Sequence, residues 1–99
     1  MVMRDVGGEI AGYFIGFLAP GLHYKRCLTC TMDIFYVRPE FRHNHTASLR
    51  LFRATERELI SLGCSRWFVG TKLHKDVGRL FEALRFQPVE MYYSKWLGE

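Results

Sequence analysis

The segment from Glu9 to Leu18 constrains the fold more than any other part of the sequence, because it predicts a strand that is apolar on both faces. One face would carry Ile10, Phe14 and Leu18, and the other Tyr13, Ile15 and Phe17. Strands of this kind occupy the centre of a sheet that is covered on two sides. The rest of the chain must therefore supply neighbouring strands and covering helices.

A hairpin and a long helix follow this segment. Leu28 to Val37 is rich in β-branched and aromatic residues and predicts a second strand. The short spacing after the turn signal Pro20-Gly21 favours an antiparallel hairpin. Apolar residues then recur at helical spacing from Thr46 to Leu62, with Asn44 or Thr46 as the expected N-cap and Gly63 at the end.

Three shorter elements complete the pattern. Arg66 to Thr71 predicts a third strand, reached from the second by a right-handed parallel crossover. Asp76 is the expected cap of a second helix, and Val89 to Leu97 predicts a last strand. The predicted order is β-β-α-β-α-β, an α/β chain with a mixed sheet that forms a single domain over residues 1–99.

Composition bounds the class of protein. With 99 residues, 48% of them hydrophobic and 24% charged, the chain predicts one globular domain. No apolar run reaches the ~18 residues of a membrane-spanning helix, and the first residues lack the pattern of a signal peptide, so we expect a cytoplasmic protein. The net charge of +4 suits an anionic partner such as a nucleotide, a polyphosphate cofactor or nucleic acid.

The cysteines predict neither a disulfide framework nor a metal site. Their number, three, is odd, and Cys27 and Cys30 lie in a strand-like stretch where positions i and i+3 face opposite ways. Cys64 and the scattered histidines do not supply the paired spacing of zinc ligands. We therefore expect no bound metal.

The junction between the second strand and the long helix is the candidate site. The first amides of a helix have no internal partners, and together with the helix dipole they attract anions. Arg42 adds a positive charge just before the helix. An ordinary strand–helix connection has the same local features, so these residues alone leave both interpretations open.

Four motifs, in order, resemble those of the GNAT N-acetyltransferase superfamily. Val37-Arg38-Pro39-Glu40-Phe41-Arg42, with Ala47 further on, resembles the cofactor motif V-x-P-x-x-R/Q-x-x-G-x-G/A. Glu9 to Tyr13 resembles the strand motif G-x-I-x-G-Y/F, Leu80 to Phe86 the late L-Y-E-K-L-G-F, and Met91 to Leu97 the closing strand. The similarity covers nearly the whole chain, and its pattern is most similar to short acetyltransferase-like proteins encoded by bacteriophages.

The resemblance implies an N-acetyltransferase that moves an acetyl group from acetyl-CoA to a primary amine by direct attack. The pantetheine arm would enter a gap between the second and third predicted strands, and the turn would hold the pyrophosphate. The implied cofactor-binding residues are Phe35, Tyr36, Val37, Arg42, His43, Asn44, His45, Thr46 and Ala47. Asp33 stands where relatives often carry an acidic base, and Tyr92 or Tyr93 would serve as the general acid.

The sequence departs from the family pattern in ways that keep two alternatives open. His45 and Arg85 replace motif glycines, Phe81 replaces the tyrosine that often acts as the acid, and the usual N-terminal strand and helices before Glu9 are missing. A non-catalytic CoA-binding or structural relative is one alternative. A small nucleic-acid-binding domain is the other, although the aromatics are not interleaved with Lys and Arg as a base-stacking surface requires.

The two predicted helices would cover only one face of the sheet. The apolar face left open would exceed the few hundred Å² that monomers tolerate. We therefore expect a homodimer, a partner chain or a further N-terminal segment to cover it.

Overall fold

The computed structural model describes residues 1–20 and 28–98, and they form one four-stranded sheet with two helices. The strands are β1 (Val2–Arg4), β2 (Ile10–Pro20), β3 (Leu28–Val37) and β4 (Cys64–Phe68), and the helices are α1 (Thr46–Ser61) and α2 (Gly78–Ala83). Two 3₁₀ turns, Pro39–Phe41 and His43–His45, connect β3 to α1. Gly21 and Cys27, on which the turn and CxxC predictions depend, lie outside the described residues.

The sheet is mixed, as predicted, and its strands lie in the order β1-β2-β3-β4. β2 pairs antiparallel with both β1 and β3, while β3 and β4 run parallel. The hairpin of β2 with β3 and the parallel crossover through α1 are therefore both confirmed, and with them the α/β fold class.

The first strand of the sheet was not predicted. β1 folds back onto β2 through a tight turn in which Asp5 Oδ1 accepts the backbone N–H groups of Gly7 and Glu9 at 2.9 and 3.0 Å. Gly8 has a φ of 86°, which glycine adopts freely. A strand of three residues is too short to show a period of two, so its apolar pattern could not be recognised.

Three other elements differ from the prediction. The third strand begins at Cys64 rather than Arg66. α2 begins at Gly78, and Asp76 contributes through its Oδ1, which accepts the Gly78 N–H at 2.7 Å. The predicted strand from Val89 to Leu97 does not form: these residues are exposed and pair with no strand among the described residues. An apolar pattern identifies residues able to pair, but pairing also needs a neighbouring sheet edge.

The core lies between one face of the sheet and the two helices. Phe52 of α1 is fully buried at its centre, with ring centroids 4.9 Å from Phe35, 5.6 Å from Phe14 and 5.5 Å from Trp67. The helical spacing of the sequence predicts five buried positions, Leu51, Phe52, Thr55, Leu59 and Leu62. The first four are buried, and Leu62 is exposed because the helix ends at Ser61. The helix therefore stops one residue before the predicted stripe does.

The opposite face of the sheet, here called the open face, carries no helix among the described residues. Both helices pack on the core side, where Phe81 of α2 meets Phe35 of β3 and Phe52 of α1. The open face consists of Tyr13, Ile15, Phe17, Ile34, Tyr36 and Phe68. Five of these, all but Tyr13, are between 37% and 63% exposed. No helix in the described ranges is long and apolar enough to cross a membrane.

Candidate functional site

β3 and β4 pair only along the first part of β3. Their ladder runs from Leu28↔Cys64 to Thr31↔Phe68. β3 continues to Val37, but from Met32 onward no described residue pairs with it on the β4 side. β4 itself ends at Phe68, so the second half of β3 has an open edge on that side. We call this open edge the β3–β4 gap; it lies where the resemblance implied a separation of the two strands.

Asp33 lies at an irregularity of the β2–β3 ladder, beside this gap. The pairing passes from Ile15↔Ile34 to Gly16↔Met32, so that Asp33 has no partner on β2. A bulge of this kind bends the strand and redirects side chains. The Asp33 side chain is exposed, which leaves its carboxylate accessible to a proton donor.

Arg38 and Arg42 hold the connection from β3 to α1. Arg38 donates to Asp5 Oδ2 at 3.0 Å and to the carbonyl of Ile10 at 3.2 Å. Arg42 Nε donates to the carbonyl of Val37 at 2.6 Å. Arg42, predicted as a phosphate contact, thus also fixes the turn, while its terminal nitrogens make no hydrogen bond with the described residues.

α1 begins at a left-handed residue. His45 is the N-cap, with φ 57° and ψ 15°, and its side chain makes no capping bond. The expectation that Asn44 or Thr46 would cap the helix is therefore wrong, because the preceding 3₁₀ turn leads directly into α1 through this residue. The side chain of Asn44 lies outside the described residues. A left-handed conformation is the one for which glycine is favoured, and His45 occupies a motif-glycine position.

The other predicted cofactor residues are divided between the core and the surface. Phe35 and Val37 point into the core, and Tyr36 lies on the open face, 5.6 Å from the Tyr13 ring. These three residues can therefore face the gap only through their backbone.

A cavity of about 740 Å³ lies between α1 and β1. The predicted residues His43, Thr46 and Ala47 line it, and so does a row of three arginines on α1, Arg50, Arg53 and Arg57. None of the three arginines forms an ion pair within the described chain. Asp5 and Glu40 are the acidic residues of the lining, and both pair with Arg38. The positive charge of this cavity therefore extends along α1, with Arg50 nearest to the turn.

The two candidate acids lie elsewhere. Tyr92 and Tyr93 are highly exposed in the segment after α2, and the described residues show no hydrogen bond or ring contact from them to β3. A hydrogen bond to Glu90 raises the pKa of Tyr92, which keeps this phenol protonated. Phe81, at the usual acid position, is buried against Phe35. Within the described part of the chain, no hydrogen bond joins Asp33 to Tyr92 or Tyr93.

The role of the Asp5–Arg38 pair escaped the sequence analysis. Asp5 precedes Gly7-Gly8, a combination typical of a turn in which the carboxylate accepts backbone N–H groups. Arg38 occupies a variable position of the cofactor motif, so the motif gave no indication of it. Only the folded chain brings the two residues together.

No family model and no curated protein matches the sequence. Several solved structures, however, match the fold of this chain. The glucosamine-6-phosphate N-acetyltransferase of Arabidopsis thaliana matches with a TM-score of 0.79 at 13% identity, over 98% of this chain and 65% of that one. A putative acetyltransferase of Pyrococcus furiosus matches with a TM-score of 0.80 at 13% identity, over 97% and 63%.

A third match is an aminoglycoside N-acetyltransferase in complex with CoA. Its TM-score is 0.72 at 19% identity, over 96% of this chain and 73% of that one. This chain thus spans about two thirds of the length of the structures that it matches. The described part of the chain therefore has the fold of the GNAT acetyltransferases over that share of their length.

Proposed function

We propose that this chain binds acetyl-CoA in the β3–β4 gap and transfers the acetyl group to a primary amine. The observation that carries the proposal is the end of the ladder at Thr31↔Phe68, beyond which β3 continues to Val37 with no described partner on its β4 side. Unpaired backbone groups need partners, and the amides of a pantetheine arm have the matching donors and acceptors. The fold likeness to N-acetyltransferases, one of them holding CoA, supports the same assignment.

The phosphates of the cofactor would lie at the start of α1. The N-terminal amides of this helix and its dipole favour an anion. The side chain of the N-cap residue His45 makes no hydrogen bond to these amides. The terminal nitrogens of Arg42 supply a charge at the turn. Arg50, which has no ion pair among the described residues, stands one turn into the helix and suits a second phosphate group.

The reaction requires a base and an acid. The base takes a proton from the ammonium group, and the amine then attacks the thioester carbonyl. The C–S bond breaks, and the departing thiolate takes up a proton. We assign the base to Asp33, whose exposed carboxylate borders the gap, and the acid to Tyr92 or Tyr93. The tyrosines can act only after their segment approaches β3.

A second function, CoA binding without catalysis, is favoured by one observation. Phe81 is buried against Phe35 and Phe52 where relatives carry the acid tyrosine, and it has no proton to give. A chain of this kind would hold CoA in the same gap but would not release its thiol.

Calorimetric titration with acetyl-CoA and CoA, followed by thiol-release assays on a panel of amines, tests both functions. Arg42→Ala should weaken binding by about 1.5–3 kcal/mol, the cost of a lost charged hydrogen bond. Arg79→Ala, at an exposed position of α2, is the matched control and should leave binding unchanged.

Asp33→Asn separates the two functions. It should preserve cofactor binding and abolish thiol release if the chain is an enzyme. Binding without thiol release in the parent protein would establish the second function, and absence of CoA binding would refute both.

A further inference from the structure

Asp33 is the only acidic residue on the four described strands. Met32 and Phe35 both pack against the core, although residues three apart in a regular strand face opposite ways. The bulge at Asp33 supplies the extra residue that makes this possible. Asp33 and Ile34 therefore both lie on the side of the open face, and Asp33 is exposed there.

The side chains that flank Asp33 on the open face are apolar. Ile34 follows it directly in the chain and pairs with Ile15 of β2. Phe68, the last residue of β4, pairs with Thr31, two residues before Asp33. Ile15, Ile34 and Phe68 are between 37% and 47% exposed. A ligand held by the carboxylate would therefore rest the remainder of its structure on apolar surface.

The end of the open face towards the turn before α1 carries a positive charge. The guanidinium carbon of Arg42 lies 5.4 Å from the centroid of the Tyr36 ring. Tyr36 is three residues from Asp33, a separation of about 10 Å along a strand. A ligand with a second ammonium group at that separation would bring it towards the guanidinium of Arg42, and like charges repel.

We infer that the acceptor is a primary monoamine with an uncharged, apolar body, such as an alkylamine or an arylalkylamine, which rests on the proposed acetyl transfer. The ammonium group pairs with Asp33, and the hydrocarbon packs on the apolar side chains beside it. Polyamines and aminoglycosides carry several ammonium groups, and an unpaired charge against apolar surface is costly to desolvate. The described strands supply a single carboxylate, so such polycations are poor acceptors.

Hexylamine and hexamethylenediamine are the matched probes, since they have the same carbon chain and differ by one ammonium group. In thiol-release assays with acetyl-CoA we expect kcat/KM for hexylamine to exceed that for the diamine by about tenfold or more. Without cofactor, hexylamine should shift the backbone amide NMR signals of β2 and β3 around Ile15 and Ile34. This second measurement does not depend on catalysis.

Ile15→Asp adds a second carboxylate to the apolar surface beside Asp33 and should reverse the preference, so that hexamethylenediamine becomes the better acceptor. Because Ile15 is half-exposed, its side chain is not part of the core. Ile60→Asp is the matched control, since it makes the same change at an exposed position of α1. This variant should keep the preference for hexylamine.

Two results in the parent protein would overturn the monoamine assignment while leaving acetyl transfer intact. One is thiol release that is equal or faster with the diamine, and the other is a set of hexylamine-induced shifts that lie outside the open face. Hexylamine binding at the open face without thiol release from any amine would refute the transfer and support the amine site. Absence of both binding and thiol release would refute both.

Discussion

His45 and Arg85 are the two residues other than glycine with positive φ in the described chain, at 57° and 69°. Both stand where the acetyltransferase motifs carry glycine, one before α1 and the other after α2. Both residues thus adopt the left-handed conformation that glycine favours, although each carries a side chain. Each residue accepts a local cost of about 1–2 kcal/mol that glycine would not have.

Arg85→Gly should therefore stabilise the protein. The relief of about 1–2 kcal/mol is partly offset by the greater chain entropy of unfolded glycine, which leaves a gain of about 0.5–1 kcal/mol. Chemical denaturation measures this change. Arg79→Gly, within α2, is the control and should instead destabilise by about 1 kcal/mol. Equal losses in the two variants would contradict the proposed strain.

His45→Gly should stabilise the chain by about 0.5–1 kcal/mol for the same reason and should bind CoA more tightly, because a phosphate group can then approach the backbone closely. His45→Ala separates the two effects, since it removes the ring but retains the Cβ that disfavours this conformation. Calorimetry and denaturation on both variants are the measurements. Weaker CoA binding by the glycine variant would show that the histidine ring itself contacts the cofactor.

Gly12→Ala should destabilise the sheet. A Cβ at this position would lie 2.7 Å from the backbone oxygen of Tyr36 and 3.1 Å from the Met3 side chain. Since a backbone oxygen in the centre of a sheet cannot give way easily, we expect a loss of about 1–3 kcal/mol. Gly70→Ala meets no atom within 4 Å and serves as the control. A thermal midpoint that is equally unaffected in both variants would refute the close approach.

The Asp5–Arg38 pair should make stability depend on pH in acid. Burial alone would raise the pKa of Asp5, but hydrogen bonds from Glu9, Arg38 and Gly7 outweigh it and hold the pKa below its usual 3.8. The carboxylate therefore stabilises the folded protein fully above pH 3.8, the pKa of the unfolded chain. This stabilisation is lost as the pH falls through the lower pKa of the folded state.

Asp5→Asn should accordingly be less stable than the parent at pH 6, and the difference should vanish in strong acid. Denaturation at a series of pH values measures it. Glu40→Gln, which removes the more exposed carboxylate beside Arg38, should have a smaller effect. A difference between Asp5→Asn and the parent that is independent of pH would mean that the charge of Asp5 is not what stabilises the turn.

Cys30 should resist alkylation while the protein is folded. Its side chain is buried, and this burial is the main reason that the pKa of its thiol is raised. The nearby Cys64 is a second, smaller cause. Only a thiolate reacts readily with iodoacetamide. Mass spectrometry of peptides should find Cys64 modified before Cys30, and Cys30 modified only after denaturant is added. Early modification of Cys30 would indicate that the core opens between β3 and α1.

Sequence patterns predicted most of the chain between Ile10 and Ala83. β2, β3, α1 and α2 each have their own periodicity, and Gly63, with a φ of 85°, ends α1 as predicted. The motif resemblance also located the turn before α1. These features depend on residues close together in the sequence, and their patterns are therefore visible without a structure.

Other features were decided only by the tertiary structure. Hydrogen bonds between distant segments decide whether β1 forms and where the β3–β4 ladder ends. They also decide whether residues 89–97 enter the sheet. The Asp5–Arg38 contact, which joins the turn after β1 to the end of β3, is one of these. A strand pattern specifies which side chains are apolar, but the energy of pairing comes from an edge elsewhere in the chain or in another copy. For this reason the sequence by itself determined the elements, and the tertiary structure decided which of their edges are paired.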